Sequence, residues 1–415
     1  MISKEKHAGE AYVWMWLPQA LTPVVVGKMV LLNERYHFNY GRSFLTRADA
    51  MALSPFELPL KTGTFSPAGL HEMPSCLRDA SPDAWGRRLL DYQFPTLNPN
   101  ELDYLLLSCS DRIGALDFQT SATEYRAREP DPIHIEAVDE LAKMLEENQA
   151  ISPHLLPILL HGTSVGGARP KCLIEMDNEA YIAKFSLSTD PYPNIPFEYI
   201  AMRLAALVDI DVAPVVFKKV AGRDVLAVKR FDRVNMPGGT ARRHLLSALS
   251  LLNLHEMEAR YARYQDLADL IRQHFDQPKA ALTELFRRLS FNVLIGNTDD
   301  HARNHAAFWN GVTLSLSPAY DLAPQLRMGH EAHQAMRIDG TQGNASTLGN
   351  VLSIHEHFLL SQKEAVSLIQ HQIDMLRQHW VNLCDEARLS QIERDRMWGS
   401  VIYSDFCLQD FPHAL

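Results

Sequence analysis

Residues 296–305 read Gly-Asn-Thr-Asp-Asp-His-Ala-Arg-Asn-His and form the densest polar cluster in the chain. This cluster follows Leu289–Ile295, an apolar stretch that is typical of a buried helix. Within the cluster, Asp299 precedes Asn304 by five residues. A single loop can therefore present a carboxylate and an amide oxygen to the same ligand.

Catalytic loops of kinases have the same spacing between an Asp, which orients the acceptor hydroxyl, and an Asn that helps to hold Mg²⁺. The spacing alone is weak, since chance matches are frequent. Asp321 strengthens it, because this carboxylate lies seventeen residues after Asn304 and follows a predicted strand at 314–316. Mg²⁺ prefers hard oxygen ligands, so Asp321 is a candidate second ligand. The alternative is an Asp that caps a turn before Pro324.

A segment rich in glycine and small residues, His161–Lys171, lies well upstream of this cluster. Backbone N–H groups in such a loop can approach phosphate oxygens because no bulky side chain intervenes. The segment is neither a Walker A loop nor a G-x-G-x-x-G motif. The alternative is a flexible surface turn. The candidate phosphate-binding residues of the loop are Ser164, Val165, Gly166, Gly167 and Ala168.

Lys184 is a cation within a predicted apolar strand, Ala180–Phe185. A buried lysine is costly unless it is paired. The natural partners are an ATP phosphate and Glu198 on the following predicted helix, as in the lysine–glutamate pair of kinases. The alternative is a lysine on the solvent face of an edge strand.

The histidines of the 296–305 cluster allow a competing interpretation. Asp299, His301 and His305 could ligate a metal ion such as zinc, but no HExxH motif or cysteine cluster completes a zinc site. We group His301 instead with the nucleotide-binding residues, as a side chain that braces the loop by hydrogen bonding to backbone near Asp299.

The composition of the 415 residues is that of a globular protein, with 46% hydrophobic and 22% charged residues. A formal net charge of −10 argues against nucleic-acid binding through bulk charge. Five cysteines without a CxxC pair indicate a reducing compartment. No uninterrupted apolar stretch of about 18 residues is present. We therefore predict a cytoplasmic protein that does not associate with membranes.

The periodicity of the chain predicts an α+β fold with a strand-rich lobe followed by a helix-rich lobe. Strands are expected at 36–40 and 225–231, and Cys172–Met176 is expected to pair with Ala180–Phe185 across a turn at Asp177-Asn178. Ser81 is a candidate N-cap for a helix that starts at Pro82. The other predicted helices are 134–148, 197–208, 267–275, 279–295, 363–385 and 391–403.

Taken together, these motifs resemble the HipA family, the serine/threonine kinase toxins of bacterial type II toxin–antitoxin modules. The matching N-terminal stretches are Val26-Gly27, Phe38-Asn39-Tyr40, Leu77-Arg78-Asp79, Pro82–Leu89 and Asp111–Leu116. The matching stretches further along are Ser164–Lys171, Lys184, Glu198, Leu226–Arg233, Phe291-Asn292, Thr298–His305 and Tyr320-Asp321-Leu322. Each motif is weak by itself, but the combination is specific.

The resemblance implies a kinase-like two-lobed fold with a mixed α/β N-terminal lobe and an all-helical C-terminal lobe. It implies that Lys184 holds ATP phosphates, that Asp299 is the catalytic base, and that Asn304 and Asp321 bind Mg²⁺. It also implies that Ser164 is the autophosphorylation site, although Thr163 is a competing acceptor. The implied adenine hinge consists of Val228, Lys229, Arg230 and Phe231.

The resemblance further divides the chain into an N-terminal subdomain at 1–125, the rest of the N-lobe at 126–235 and a C-lobe at 236–415. It implies a HipB-like helix-turn-helix antitoxin dimer as partner, DNA contact mainly through that antitoxin, and a protein substrate. Known targets of the family include aminoacyl-tRNA synthetases. Two other functions remain open, a small-molecule kinase and a pseudokinase co-repressor that acts with the antitoxin.

Two features depart from the family pattern. Asp300 stands where several members have Gly, so a second carboxylate adjoins the proposed base. The two carboxylates could shift each other's titration, or Asp300 could point to solvent. Arg169-Pro170-Lys171 replaces a more acidic segment seen in some members. These differences leave the substrate and the regulation open.

Overall fold

The structure of the protein is a computed structural model that describes residues 7–129, 169–220, 222–327, 329 and 331–412. The chain consists of two compact units. Unit 1 comprises Met1–Leu187, Lys219–Leu246 and Phe308–Val312. Unit 2 comprises Ser188–Lys218, Ser247–Ala307 and Thr313–Leu415. The predicted helix at 134–148 lies outside the described residues.

The strands of the described residues form four sheets, with the orders β4-β3-β2-β1-β5, β6-β7-β9-β8, β10-β11 and β12-β13-β14. Their bounds are β1 Glu10–Met15, β2 Val24–Leu32, β3 Arg35–Tyr40, β4 Thr64–Phe65, β5 Leu116–Gln119, β6 Lys171–Met176, β7 Glu179–Phe185, β8 Val215–Val220, β9 Arg223–Lys229, β10 Arg233–Met236, β11 Gly239–Arg242, β12 Leu245–Ser247, β13 Ala306–Trp309 and β14 Leu314–Leu316.

The helices divide between the N-terminal part of unit 1 and unit 2. They are α1 Arg42–Leu45, α2 Ser75–Arg78, α3 Ala84–Gln93, α4 Glu101–Leu107, α5 Asn194–Leu207, α6 Ala248–Leu251, α7 Tyr264–His274, α8 Pro278–Leu294, α9 Leu348–Leu352, α10 Gln362–Glu386 and α11 Gln391–Met397. Short 3₁₀ helices cover Glu256–Tyr261 and His355–Phe358.

Two hairpins of unit 1 close through two-residue turns with left-handed backbone. Asp177 (φ 53°) and Asn178 (φ 60°) join β6 to β7, which confirms the predicted strand pair and turn. Asn33 and Glu34 join β2 to β3 in the same way. Turns with positive φ at both central residues match the right-handed twist of the strands, and Asn and Asp tolerate that backbone best.

A buried ion cluster ties the segment before β5 to the segment after β9 within unit 1. The Arg230 guanidinium contacts Asp111 at 2.9 Å and Asp232 at 2.8 Å, and Arg233 contacts the same two carboxylates. The Gly114 amide donates to Asp232 at 2.7 Å. Burial alone would raise the pKa of Asp232, but the two arginines and the hydrogen bonds lower it to about 2. The cluster therefore fixes the chain just after β9.

Unit 2 is built around two long helices, α8 and α10, whose buried faces meet in its core. A polar clamp lies inside this interface, because the Ser290 hydroxyl donates to Gln372 at 2.9 Å and the Gln372 amide donates to the Arg287 carbonyl at 2.9 Å. Trp380 of α10 stacks on Phe197 of α5. The C-terminal end of α8 is thereby held rigidly, and the polar cluster at 296–305 starts there.

Most predicted elements are confirmed, with shifts at their ends. The strand at 36–40 corresponds to β3, the strand at 225–231 to β9, and the predicted strand at 314–316 to β14. The helices predicted at 197–208, 267–275, 279–295 and 363–385 correspond to α5, α7, α8 and α10. The last predicted helix is shorter than expected and ends at Met397.

Two predictions need correction. Ser81 is not an N-cap, because α3 begins at Ala84 with Asp83 as its flanking residue. An all-helical C-terminal lobe over 236–415 is not confirmed, because β11, β12, β13 and β14 lie in that range. Only β14 was predicted, and β11, β12 and β13 are three or four residues long, which is too short for a periodic pattern to show in the sequence.

We predict that Arg230→Met lowers the free energy of unfolding by about 3–5 kcal/mol, because it leaves the buried carboxylates of the cluster with one cation too few. Urea unfolding followed by tryptophan fluorescence measures this change. The control is Lys28→Met, which breaks the exposed Lys28–Glu10 pair and should cost at most about 1 kcal/mol.

The cost of Arg230→Met should also depend on pH. The folded pKa of Asp232 lies below its usual value, so its contribution is complete above about pH 4 and is lost as the pH falls towards 2. The difference in unfolding free energy between wild type and Arg230→Met should therefore shrink over that interval. A difference that stays constant would show that the ionised Asp232 is not the group that requires the arginine.

Candidate active site

The polar cluster begins where helix α8 ends. Gly296 follows the helix with φ 68°, in the left-handed region that glycine occupies without strain. A Cβ at Gly296 would also lie 2.5 Å from the Val401 carbonyl oxygen. The next residue, Asn297, folds back onto the helix, with its side-chain amide donating to Asn292 at 3.0 Å. The chain thus turns sharply into the loop that carries Asp299.

The carboxylate of Asp300 lies at the centre of the loop and is 2% exposed. It accepts hydrogen bonds from the Tyr264 hydroxyl, from Asn292 Nδ2 at 2.8 Å and from His305 Nε2 at 3.0 Å. Burial alone would raise the pKa of Asp300, but His305 and these hydrogen bonds lower it. The alternative in which Asp300 points to solvent is therefore wrong.

Asp299 faces the other way and its side chain is exposed. Partial removal of water by the surrounding protein raises the pKa of the Asp299 carboxyl. The negative charges of Asp321 and Asp300 raise it further, while His301 opposes them. Asp300 thus contributes to the raised pKa of its neighbour Asp299. The same shift shows that Asp321 lies within electrostatic reach of Asp299.

Backbone hydrogen bonds hold both peptide neighbours of Asp299. The Thr298 carbonyl accepts from the Ala335 amide at 3.0 Å, and the Asp300 carbonyl accepts from the Met336 amide at 3.0 Å. The two donors, Ala335 and Met336, are consecutive residues of one segment. Asp299 therefore lies between two fixed carbonyl groups, and its own side chain projects from them.

Two hydrogen bonds attach the Asp321 segment to the loop. The Tyr320 hydroxyl donates to the Arg303 carbonyl at 2.6 Å, and the Gln325 amide donates to the Gly296 carbonyl at 3.0 Å. Asp321 lies between these points and has left-handed backbone (φ 60°). Strained backbone of this kind is concentrated at functional sites, although Asp adopts it more readily than most residues do.

Asn304 is the remaining predicted metal ligand. It is 8% exposed, and its backbone N–H donates to the His301 carbonyl at 2.8 Å. Its side-chain amide makes no hydrogen bond within the described part of the chain. The donors offered by Asn304, Asp299 and Asp321 are all oxygens, and the repulsion between the two carboxylates would be relieved by a divalent cation. This donor set fits Mg²⁺.

The histidines of the loop have different roles from those predicted. His305, not His301, braces the loop through its side chain, because its Nε2 donates to Asp300. His301 Nδ1 is buried without a hydrogen-bond partner among the described residues. His305 Nδ1 is likewise buried without a hydrogen-bond partner among the described residues. The described residues contain no group of three or more His, Cys, Asp or Glu side chains placed to hold a metal ion.

The predicted nucleotide-binding residues fall into three groups. Lys184, Val228, Lys229, Arg230 and Phe231 belong to unit 1, and Glu198, 4% exposed on α5, belongs to unit 2. Ser164, Val165, Gly166, Gly167 and Ala168, together with Thr163, lie outside the described residues.

Within unit 1, Lys184 of β7 lies directly opposite Lys171 of β6. The side chains of the predicted hinge are engaged. The Lys229 ammonium pairs with Glu179 at 2.8 Å, Arg230 belongs to the buried ion cluster, and the Phe231 ring packs edge-on against Phe308.

Comparison with known proteins identifies the family. Residues 163–380 match the HipA-like C-terminal domain, and residues 17–119 match the HipA N-terminal domain. The first match alone spans more than half of the chain. The protein belongs to the HipA family.

Two curated relatives of this HipA-family chain come from bacteria. "Putative kinase Y4mE" of Sinorhizobium fredii is 31% identical over 131 residues, which are 30% of this chain and 31% of the relative. "Serine/threonine-protein kinase toxin HipA" of Shewanella oneidensis is 28% identical over 201 residues, which are 42% of this chain and 46% of the relative. The chain thus spans less than half the length of either relative.

A solved structure shares the fold of this HipA-family chain. It is the complex of HipA, HipB and operator DNA from the Shewanella oneidensis toxin–antitoxin system. The match has a TM-score of 0.70 at 20% identity and covers 93% of this chain and 94% of the solved one. A mixed α/β fold of the HipA type is therefore shown. Among the described helices, none combines the length and the apolar character needed to cross a membrane.

Sequence reasoning missed the residues that support the loop. Tyr264 donates to Asp300 from the first residue of α7, far from the motif and without any local signal. Asn292 carried a signal that we did not use, because it is a polar residue within the apolar stripe of α8. A buried amide at such a position requires a hydrogen-bond partner, and that partner is Asp300.

We predict that Gly296→Ala destabilises the protein more than Gly399→Ala. Both glycines have left-handed backbone, for which any other residue costs about 1–2 kcal/mol. Only Gly296 adds a steric clash, with Val401, whereas a Cβ at Gly399 meets nothing within 4 Å. Thermal unfolding of the two variants measures the difference. Equal losses would show that the end of α8 can move away from Val401.

Proposed function

We propose that this protein is an ATP- and Mg²⁺-dependent serine/threonine protein kinase of the HipA type. One observation carries the proposal. Asp299 and Asp321, 22 residues apart in the chain, belong to loops joined by hydrogen bonds, and the charge of Asp321 raises the pKa of Asp299. Two carboxylates held together, with the Asn304 amide in the same loop as Asp299, suit phosphoryl transfer better than hydrolytic chemistry.

Asp299 would act as the base that orients the acceptor hydroxyl and takes its proton. Its side chain is exposed, so an acceptor can reach it, while the peptide groups on both sides are fixed. A raised pKa makes a carboxylate a stronger proton acceptor, which suits this role. Because the loop is held in place, little reorganisation is required when the acceptor binds.

Asn304 and Asp321 would hold Mg²⁺ through their side-chain oxygens. Bound there, Mg²⁺ would supply neutralisation of the charge on the transferred phosphate. The Tyr320–Arg303 hydrogen bond supports this role, since Arg303 precedes Asn304 and Tyr320 precedes Asp321. The two ligands would thus keep a fixed separation when the metal binds.

Lys184 would contact the ATP phosphates, as the strand lysine of kinases does. The register of β6 and β7 places Lys171 and Lys184 at facing positions, so two cations lie side by side on this strand pair. The backbone from Val228 to Phe231 would form the adenine hinge, with His301 near the nucleotide.

The remaining parts of the proposal rest on the family. Ser164 would be autophosphorylated, and the added negative charge of about −1.5 to −2 would disfavour ATP in the same loop. The partner would be a HipB-like helix-turn-helix antitoxin dimer that mediates contact with DNA, which suits a chain with a net charge of −10. The protein substrate would be of the aminoacyl-tRNA synthetase class.

We predict that Asp299→Asn lowers phosphoryl transfer by about 10²–10⁴-fold, because the acceptor loses its base. The measurement is transfer from radiolabelled ATP to the protein itself and to dephosphorylated casein, with mass spectrometry of Thr163–Lys171. Asp374→Asn removes an exposed carboxylate on α10 that contacts only Gln370 in the described structure, and it should leave the rate unchanged.

The same experiment separates the competing functions. Wild-type protein that binds MgATP but phosphorylates neither itself nor casein would favour the pseudokinase co-repressor. Label that appears only in small molecules would favour a small-molecule kinase. Near-wild-type transfer by Asp299→Asn would remove Asp299 from the role of base.

We predict that Asp321→Asn abolishes the Mg²⁺-dependent part of ATP binding, since one charged oxygen ligand is lost. Asparagine is chosen because it tolerates the left-handed backbone at this position. Calorimetric titration with ATP, with and without Mg²⁺, provides the measurement. Lys184→Met should weaken ATP binding both with and without the metal. Unchanged MgATP affinity in both variants would contradict the proposed site.

A further inference from the structure

Two consecutive carboxylates in the loop have opposite environments. The Asp299 side chain is exposed, whereas Asp300 is 2% exposed and accepts three hydrogen bonds. An ionised carboxylate is rarely buried unless donors compensate for the water it loses. Asp300 therefore cannot serve as a second base for an acceptor. The free-energy cost of burying its charge must instead be offset by a structural role in the fold.

The three donors to Asp300 come from separate parts of unit 2. Tyr264 begins α7, Asn292 lies in the last turn of α8, and His305 follows the loop itself. The Tyr264 ring also packs edge-on against the His305 ring, with the centroids 5.8 Å apart. One oxygen atom, Asp300 Oδ2, thus joins the loop to helices α7 and α8 and to His305 at the end of the loop.

The backbone extends the same connection. Tyr264 donates its amide to the Arg337 carbonyl at 3.1 Å, and the preceding Met336 amide donates to the Asp300 carbonyl. Tyr264 is therefore linked to the loop by two routes. Its hydroxyl bonds Asp300 directly, and its backbone amide bonds the segment 335–337, which in turn bonds the loop backbone. Burial and the negative charge of Asp300 raise the pKa of Tyr264 well above its usual value, so the hydroxyl keeps its proton and donates.

We propose that Asp300 is a positioning residue, which anchors the loop to helices α7 and α8 and thereby fixes the direction in which Asp299 points. The inference rests on the proposed function for its catalytic consequence. It assigns Tyr264, Asn292 and His305 as the donors that make the anchor. Because hydrogen bonds to charged groups are about twice as strong as neutral ones, the carboxylate cannot be replaced by an uncharged acceptor without loss.

The test compares full-length wild type with Tyr264→Phe and Asp300→Asn. Tyr264→Phe removes a single hydroxyl outside the loop and keeps the ring, so it remains informative if Asp300→Asn folds poorly. The control is Tyr199→Phe, which removes a hydroxyl that also donates to a carboxylate, Glu386 at 3.1 Å, on another face of unit 2.

Hydrogen exchange of the peptide covering 297–305 reports on the anchor independently of activity. We expect exchange to become faster by about tenfold or more in Tyr264→Phe and Asp300→Asn, the factor expected for loss of a hydrogen bond to a buried charge. Tyr199→Phe should leave this peptide unchanged. Unchanged exchange in both loop variants would overturn the inference, whatever reaction the protein catalyses.

Kinetics with dephosphorylated casein then separate positioning from mere stability. We expect kcat to fall in both loop variants while the calorimetric affinity for ATP measured without Mg²⁺ stays within about twofold, because Lys184 and the proposed hinge lie outside the loop. Faster exchange with unchanged kcat would overturn the positioning role. If the wild type transfers no phosphate but hydrogen exchange is still faster in both loop variants, the anchor stands and the proposed function is overturned.

Discussion

The carboxylate of Asp300 places a negative charge inside unit 2, and the geometry of the candidate site depends on how that charge is compensated. Moving an ion out of water costs several kcal/mol even after the protein relaxes. Three donors and a lowered pKa show that the cost is met by hydrogen bonds from Tyr264, Asn292 and His305. Any rearrangement of the loop would break bonds to a buried charge, so the loop has one strongly preferred conformation.

Unit 1 uses the same physical device at a different place. The Arg230 guanidinium is buried among Asp111, Asp232 and the Arg112 carbonyl, and it fixes the chain where β9 ends. In both units, a segment without a regular hydrogen-bond ladder is held by a buried ionic group. Helices and strands bring these groups close together, but charge compensation determines the conformation of the irregular segments that carry the candidate functional residues.

The family relationship explains the fold but not this arrangement. At 20% identity, the solved HipA complex shares the architecture across nearly the whole chain. The buried carboxylate of Asp300 bonds the loop to α7 and α8, in addition to the backbone hydrogen bonds that the loop makes with the segment 335–336.

The sequence by itself determined the long periodic elements and the chemistry of the loop. The hairpin at Asp177-Asn178, helix α8 and helix α10 were predictable, because each depends on local turn chemistry or on an apolar stripe repeated over several turns. The short strands β12 and β13 and the start of α3 were not, since a few residues carry too little periodic signal.

Only the tertiary structure decided which neighbouring carboxylate is buried and which is exposed. Asp299 and Asp300 are identical in chemistry and adjacent in sequence, so no local pattern distinguishes them. Their roles are set by Tyr264, 36 residues away, and by Asp321, 21 residues away from Asp300 in the other direction. Burial and charge compensation are properties of the packed chain, because they depend on which distant donors and charges the fold brings to each oxygen.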